Sequence, residues 1–123
     1  MGEVQVLLVD DNQDLLDVLV KLLTKEKITV VEAQDTDGAL AAWARHHRAI
    51  KLLITDMILP GQFSGADLGR FLQSQKPGLR VIYMSGDPET VTNLDLDSLF
   101  LKKPLNFSTF RKIVREELGI FGE

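Results

Sequence analysis

The chain has 123 residues, 45% of them hydrophobic and 26% charged, the size and balance of one globular domain with a core of its own. A formal net charge of −4 excludes a broadly basic nucleic-acid-binding surface, and the lack of cysteine excludes disulfides and thiolate metal sites, in keeping with a reducing compartment. No run of about 18 apolar residues offers a membrane span, and MGEVQVLLVDD lacks the basic start of a signal peptide, so a cytoplasmic protein without direct membrane contact is expected.

The first apolar run, near 4–9, reads as a strand and ends on Asp10–Asp11. Behind it Leu15 or Leu16, Leu19, Leu22 and Leu23 recur at helical spacing, with Asp11 or Asn12 placed as the cap. A second run, near 28–33, leads to a helix capped by Asp35 or Thr36 and carrying Leu40, Trp43 and Ala44. His46 and His47 are adjacent, so they cannot share a metal from one helix face. Beside Arg45 and Arg48 they read as cations at the helix C-terminus, and Trp43 reads as packing. The run KLLIT, 51–55, is the third strand and stops at Asp56. Pro60–Gly61 opens the following loop, and Ser64 caps a third helix with Leu68, Phe71 and Leu72.

Pro77–Gly78 turns the chain into a fourth strand, near 80–84, which stops at Ser85. The next stretch, GDPETVTNLDLDS, has little amphipathic pattern and fits one or two helical turns from Pro88, so a short or poorly ordered fourth helix is expected. A fifth run, 98–102, stops at Lys103–Pro104, and a last helix capped by Asn106 or Ser108 carries Phe107, Phe110, Val114 and Leu118. The strand-like runs are continuously apolar rather than alternating, as in a parallel sheet covered on both faces. With no linker and no internal repeat, residues 1–123 read as a single α/β domain of the doubly wound kind.

In such a sheet, ligands gather just past the strand C-termini. If the runs are neighbours, the carboxylates of Asp10, Asp11 and Asp56, the Ser85 hydroxyl and the Lys103 ammonium converge on one patch. That is chemistry for a hard divalent cation and a phosphoryl group. Asp11 and Asp56 are then candidates for direct ligation, with Asp10 acting through water or as a base behind them. Taken singly, each residue has a plainer reading: a helix cap for the aspartates, a Ser–Gly turn for Ser85, a solvated strand end for Lys102–Lys103. Lys103 is preferred to Lys102 because Pro104 restricts it to extended geometry and allows a cis bond, while Lys102 projects to the other side.

The segments VLLVDDNQDLL, LLITDMILPG, VIYMSG and LFLKKPL, in this order, resemble the receiver domain of two-component response regulators, and the similarity covers essentially the whole chain. The resemblance implies a flavodoxin-like five-stranded parallel sheet of order 2-1-3-4-5. It implies Asp56 as phosphoacceptor from the phosphohistidine of a histidine kinase or histidine phosphotransfer protein. Asp10 and Asp11 would hold Mg²⁺ (or Mn²⁺) together with Asp56 and the backbone carbonyl of Ile58. Ser85 would bind the phosphoryl group, Lys103 would pair with it, and Phe100 would be the aromatic switch residue. Phosphorylation would then shift the surface made by the fourth strand, the helix after it, the fifth strand and the last helix. Such a chain is a signalling phosphoacceptor rather than an enzyme, a monomer or weak dimer, and not itself a nucleic-acid binder.

Two positions depart from the family pattern. Ile58 is apolar and Asp87 acidic where the family flanks the path of the hydrolytic water, which implies slow self-dephosphorylation. Ser85 and Lys103 stand only 18 positions apart, which places a shortening in the fourth helix. The LPGQFSGADL loop and the Pro–Gly-linked VIYMSG resemble receivers joined to hybrid sensor histidine kinases, which would make the chain a cytoplasmic part of a membrane-bound protein; a stand-alone receiver is the other parentage. A pseudo-receiver is disfavoured by the intact acidic set. A haloacid-dehalogenase-type hydrolase is disfavoured because Asn12 and Gln13 stand where its second aspartate belongs. No Gly-rich turn after the first strand supports a dinucleotide site.

Overall fold

A computed structural model describes residues 3–86 and 99–121. In chain order the described elements are β1 (Val6–Val9), α1 (Gln13–Lys25), β2 (Val30–Ala33), α2 (Thr36–His46), β3 (Leu52–Asp56), α3 (Gly65–Gln75), β4 (Arg80–Ser85), β5 (Leu99–Lys102) and α4 (Phe107–Glu117). The five strands form one parallel sheet of order β2-β1-β3-β4-β5, as expected. The expected short helix between β4 and β5 lies outside the described residues, so α4 is the helix expected last.

The continuous apolar runs are explained by two separate cores. Because side chains alternate across a strand, Val6, Leu8, Leu52, Ile54, Ile82 and Met84 face one side. There they pack with Leu16, Leu19 and Leu23 of α1 and Phe110 and Val114 of α4. Leu7, Val9, Leu53, Val81 and Tyr83 face the other side, against α2 and α3. Each fully buried aliphatic or aromatic side chain contributes about 1.5–3 kcal/mol, so neither face tolerates a polar alternation.

The caps are Asn12, Asp35, Ser64 and Asn106, each among the residues singled out in the sequence. Ser64 and Asp67 form a reciprocal capping box. Three helix-face expectations need correction. Ala44 is exposed, and Ala39 and Ala42 take the inner positions of α2 beside Trp43. Phe71 and Phe107 are also largely exposed, because the sheet side of each helix is filled by Leu68 and Leu72, and by Phe110 and Val114. The C-terminal carbonyls after α2 are met by Lys76, whose Nζ donates to His47, Arg48 and Ile50.

Candidate functional site

The parallel register brings the strand ends together. Val9 is paired with Thr55 and with Ala33, Asp56 with Met84, and Ser85 with Lys102. Asp10 therefore stands one step past the last β1–β3 pair, beside Asp56, at the roughly 4.8 Å spacing of neighbouring strands. Backbone bonds extend the alignment past the strand ends: Asp10 N–H donates to Ala33, Met57 to Met84 and Lys103 to Ser85. The switch point, where β1 runs to β2 on one side and β3 on the other, thus has Asp10 and Asp56 at the strand ends, with Ser85 and Lys103 on the strands beyond.

Lys103 is the centre of the arrangement. Its Nζ lies 2.6 Å from Asp10 Oδ2 and 2.7 Å from Asp56 Oδ2. Burial pushes its pKa down, but hydrogen bonds and charge attraction from Asp10 and Asp56 outweigh this and raise it above its usual value. The Lys103–Pro104 bond is cis, while Lys102 is exposed and takes no part. Asp10 is fully buried, and its Oδ1 accepts the Asn12 N–H at 2.9 Å. Asp56 is half-buried, and its Oδ1 accepts the Ile58 N–H at 3.0 Å. Asp11 is exposed.

One carboxylate oxygen each from Asp10, Asp11 and Asp56 can lie within 4.8 Å of the others. At an effective dielectric near 20, two charges at that distance repel by about 3–4 kcal/mol. Lys103 neutralises only part of this, and three carboxylates against one ammonium leave a formal excess of two negative charges. A set of hard oxygen donors with that excess fits a divalent cation such as Mg²⁺.

Ser85 is buried at the end of β4, next to the strand that delivers Lys103. The Ile58 side chain is 64% exposed at the mouth of the site. Phe100 is partly buried and stacks on Tyr83 with ring centroids 5.6 Å apart. Asp87 lies outside the described residues.

Two residues at the site escape the sequence reading. The buried Thr55 hydroxyl donates to the Asp56 carbonyl at 2.9 Å. Gly65, the first residue of α3, sits so close that a Cβ there would fall 1.7 Å from the Asp56 carbonyl oxygen. The one available signal for it is a glycine directly after a capping serine, a place where helix formers do better.

Comparisons with known proteins agree with this fold. The family model described as response regulator receiver domain matches residues 6–115. The chain is 30% identical to the putative two-component response regulator ARR21 of Arabidopsis thaliana, over 95% of this chain and 19% of that protein. It therefore spans a small part of that relative's length. Among solved structures, the signal receiver domain of an HD domain-containing protein from Pseudomonas fluorescens Pf-5 is similar at a TM-score of 0.84 and 27% identity, covering 96% of each chain. The receiver domain from the hybrid histidine kinase CckA is similar at a TM-score of 0.80 and 28% identity, covering 93% of this chain and 98% of that one.

Proposed function

This chain belongs to the response regulator receiver domain family of two-component signalling, and from that premise we propose that Asp56 accepts a phosphoryl group from the phosphohistidine of a histidine kinase or histidine phosphotransfer protein. The observation that carries this reading is the Lys103 ammonium held between Asp10 and Asp56 at the strand ends. Residues 1–123 act as one unit in this reading, either alone or as the cytoplasmic receiver of a hybrid kinase.

Phosphoryl transfer needs an in-line nucleophile and positive charge on the transferred oxygens more than covalent help from the protein. An Asp56 carboxylate oxygen attacks phosphorus, the P–N bond breaks, and the partner's imidazole leaves with the bonding electron pair. Asp10, Asp11, Asp56 and the Ile58 carbonyl are the residues that would hold Mg²⁺, or Mn²⁺ in its place, and the bound cation supplies charge neutralisation on the phosphoryl oxygens. Lys103 already lies against Asp56, so it meets the incoming group as a second positive charge. Ser85 contributes a hydroxyl donor to the same oxygens.

The product carries about −1.5 to −2 charge where one carboxylate stood. Ser85 and Lys103 move toward it, and Phe100, in β5 three positions before Lys103 and stacked on Tyr83, reports the change to the surface of β4, β5 and α4. The module assists its own phosphorylation without turning over a separate substrate. Ile58 offers no polar group to orient a hydrolytic water, so the phosphoryl group is long-lived. Asp87 is assigned to the same water path.

The decisive experiment is incubation with acetyl phosphate and Mg²⁺, followed by intact-mass measurement. The wild type gains one phosphoryl group that base and hydroxylamine remove, and Asp56→Asn gains none. No gain by the wild type, or the same gain by the variant, would sink the assignment.

A further inference from the structure

A groove between α2 and α3 lies on a part of the surface that the phosphoacceptor chemistry does not use. Leu40 of α2, Leu68 and Phe71 of α3, and Phe63 from the preceding loop enclose about 390 Å³. Phe63 and Phe71 remain 55% and 50% exposed. Phe63 stands one residue before the cap Ser64, where an apolar side chain commonly packs on the fourth helical residue, here Leu68. That role is compatible with the half of Phe63 that stays exposed. Phe71 has no such task, since Leu68 and Leu72 supply the core contacts of α3.

The rim has a charge bias. A second hollow shares Thr36, Gln62 and Phe63 with the first and continues it to Asp35 and Asp37. Asp67 adds a third carboxylate on the wall, against the single guanidinium of Arg70, which already lies 3.5 Å from Asp67. Aromatic walls with half their area exposed and an acidic end mark an interaction surface rather than scattered surface apolarity.

We propose that this groove docks a short amphipathic segment of a partner protein, with an apolar anchor between Phe63 and Phe71 and lysine or arginine side chains against Asp35 and Asp37. Charge complementarity selects this occupant. An acidic segment is repelled by the rim, and a second copy of this chain brings a net charge of −4 to it. The groove is also built into the loop that leaves the acidic site. The Thr36 hydroxyl donates to the Phe63 carbonyl at 3.3 Å, and the Gly65 N–H donates to Met57, the residue after Asp56, at 2.8 Å.

The test is selection of a random displayed-peptide library on the full chain carrying Asp56→Asn, without phosphodonor, so that the result is independent of the phosphoacceptor assignment. Enriched peptides are expected to combine an aliphatic or aromatic anchor with flanking Lys or Arg. A synthetic representative should bind about tenfold or more weakly to Phe71→Ala. Asp37→Asn should weaken binding and flatten its salt dependence. Phe71→Ala removes an exposed side chain, and an unchanged melting curve confirms that its fold is retained. The proposal is overturned by an absence of enrichment, by acidic or uncharged consensus peptides, or by undiminished binding to both Phe71→Ala and Phe63→Ala. Self-association by sedimentation that vanishes in Phe71→Ala would also overturn it, by assigning the groove to a second copy.

Discussion

Lys103 makes two short ion pairs at once, and its raised pKa keeps it charged throughout the neutral range. Replacing it with methionine leaves Asp10 and Asp56 facing each other without a counter-charge, and in the proposed reaction it removes a donor from the developing phosphoryl charge. Lys103→Met is expected to slow phosphoryl uptake from acetyl phosphate by about 10²-fold, read as intact mass against time. Ile58 is the residue to vary for lifetime. Ile58→Asn places an amide where the exposed apolar side chain now stands and should shorten the half-life of phosphorylated Asp56 several-fold; an unaltered half-life would contradict a role for this position. Asp67 gives a pH signature that is independent of the acidic site. The Ser64 backbone N–H, then the Ser64 hydroxyl, hold its carboxyl below the ordinary value of 3.8. A pKa depressed by folding stabilises the protein above the unfolded value, and the gain is lost as pH falls through the folded one. The melting difference between wild type and Asp67→Asn should be constant near neutrality and shrink below pH 3.8.

At the level of elements, α3 is the helix most closely joined to the chemistry. Its first residue, Gly65, rests on the Asp56 carbonyl, and its Gly69 leaves room for the Tyr83 hydroxyl, which a Cβ there would meet at 2.0 Å. Gly65→Ala cannot be absorbed by a flexible side chain, because the obstacle is backbone. It is expected to destabilise by about 1–3 kcal/mol or more and to lower phosphoryl uptake by displacing Asp56. Gly78→Ala, with nothing within 4 Å of its Cβ, serves as the near-neutral control by thermal melting. The caps of all four described helices were legible in the chain, because capping depends on residues within three positions of each other. The faces of α2, α3 and α4 were legible only in part. A helical repeat admits more apolar residues than a sheet can cover, and packing left Phe71 and Phe107 outside.

For the molecule as a whole, the proposed cation site at the acidic edge links binding to folding. Any cation that binds the folded acidic cluster and not the unfolded chain raises stability, by about 1.4 kcal/mol at ten times its Kd. For a domain of this size that is roughly 4–6 °C in Tm. Mg²⁺ is expected to raise the melting temperature of the wild type by that order and to have much less effect on Asp11→Asn, measured at constant ionic strength. Equal shifts in both would place the cation elsewhere.

The sequence by itself determined the number of strands and their succession along the chain, the burial of β1, β3 and β4 on both faces, and the stopping of β1, β3, β4 and β5 at Asp10, Asp56, Ser85 and Lys103. These follow from local runs of apolar residues and from the residue that interrupts each run. That the runs lie in the order 2-1-3-4-5 came from likeness to a family, since apolar runs carry no record of their neighbours. Tertiary structure alone decided that one ammonium spans Asp10 and Asp56, that Gly65 seats α3 on the Asp56 peptide, and that Phe63 and Phe71 border a groove. Each of these joins side chains from strands or helices far apart in the chain, and only packing sets such distances.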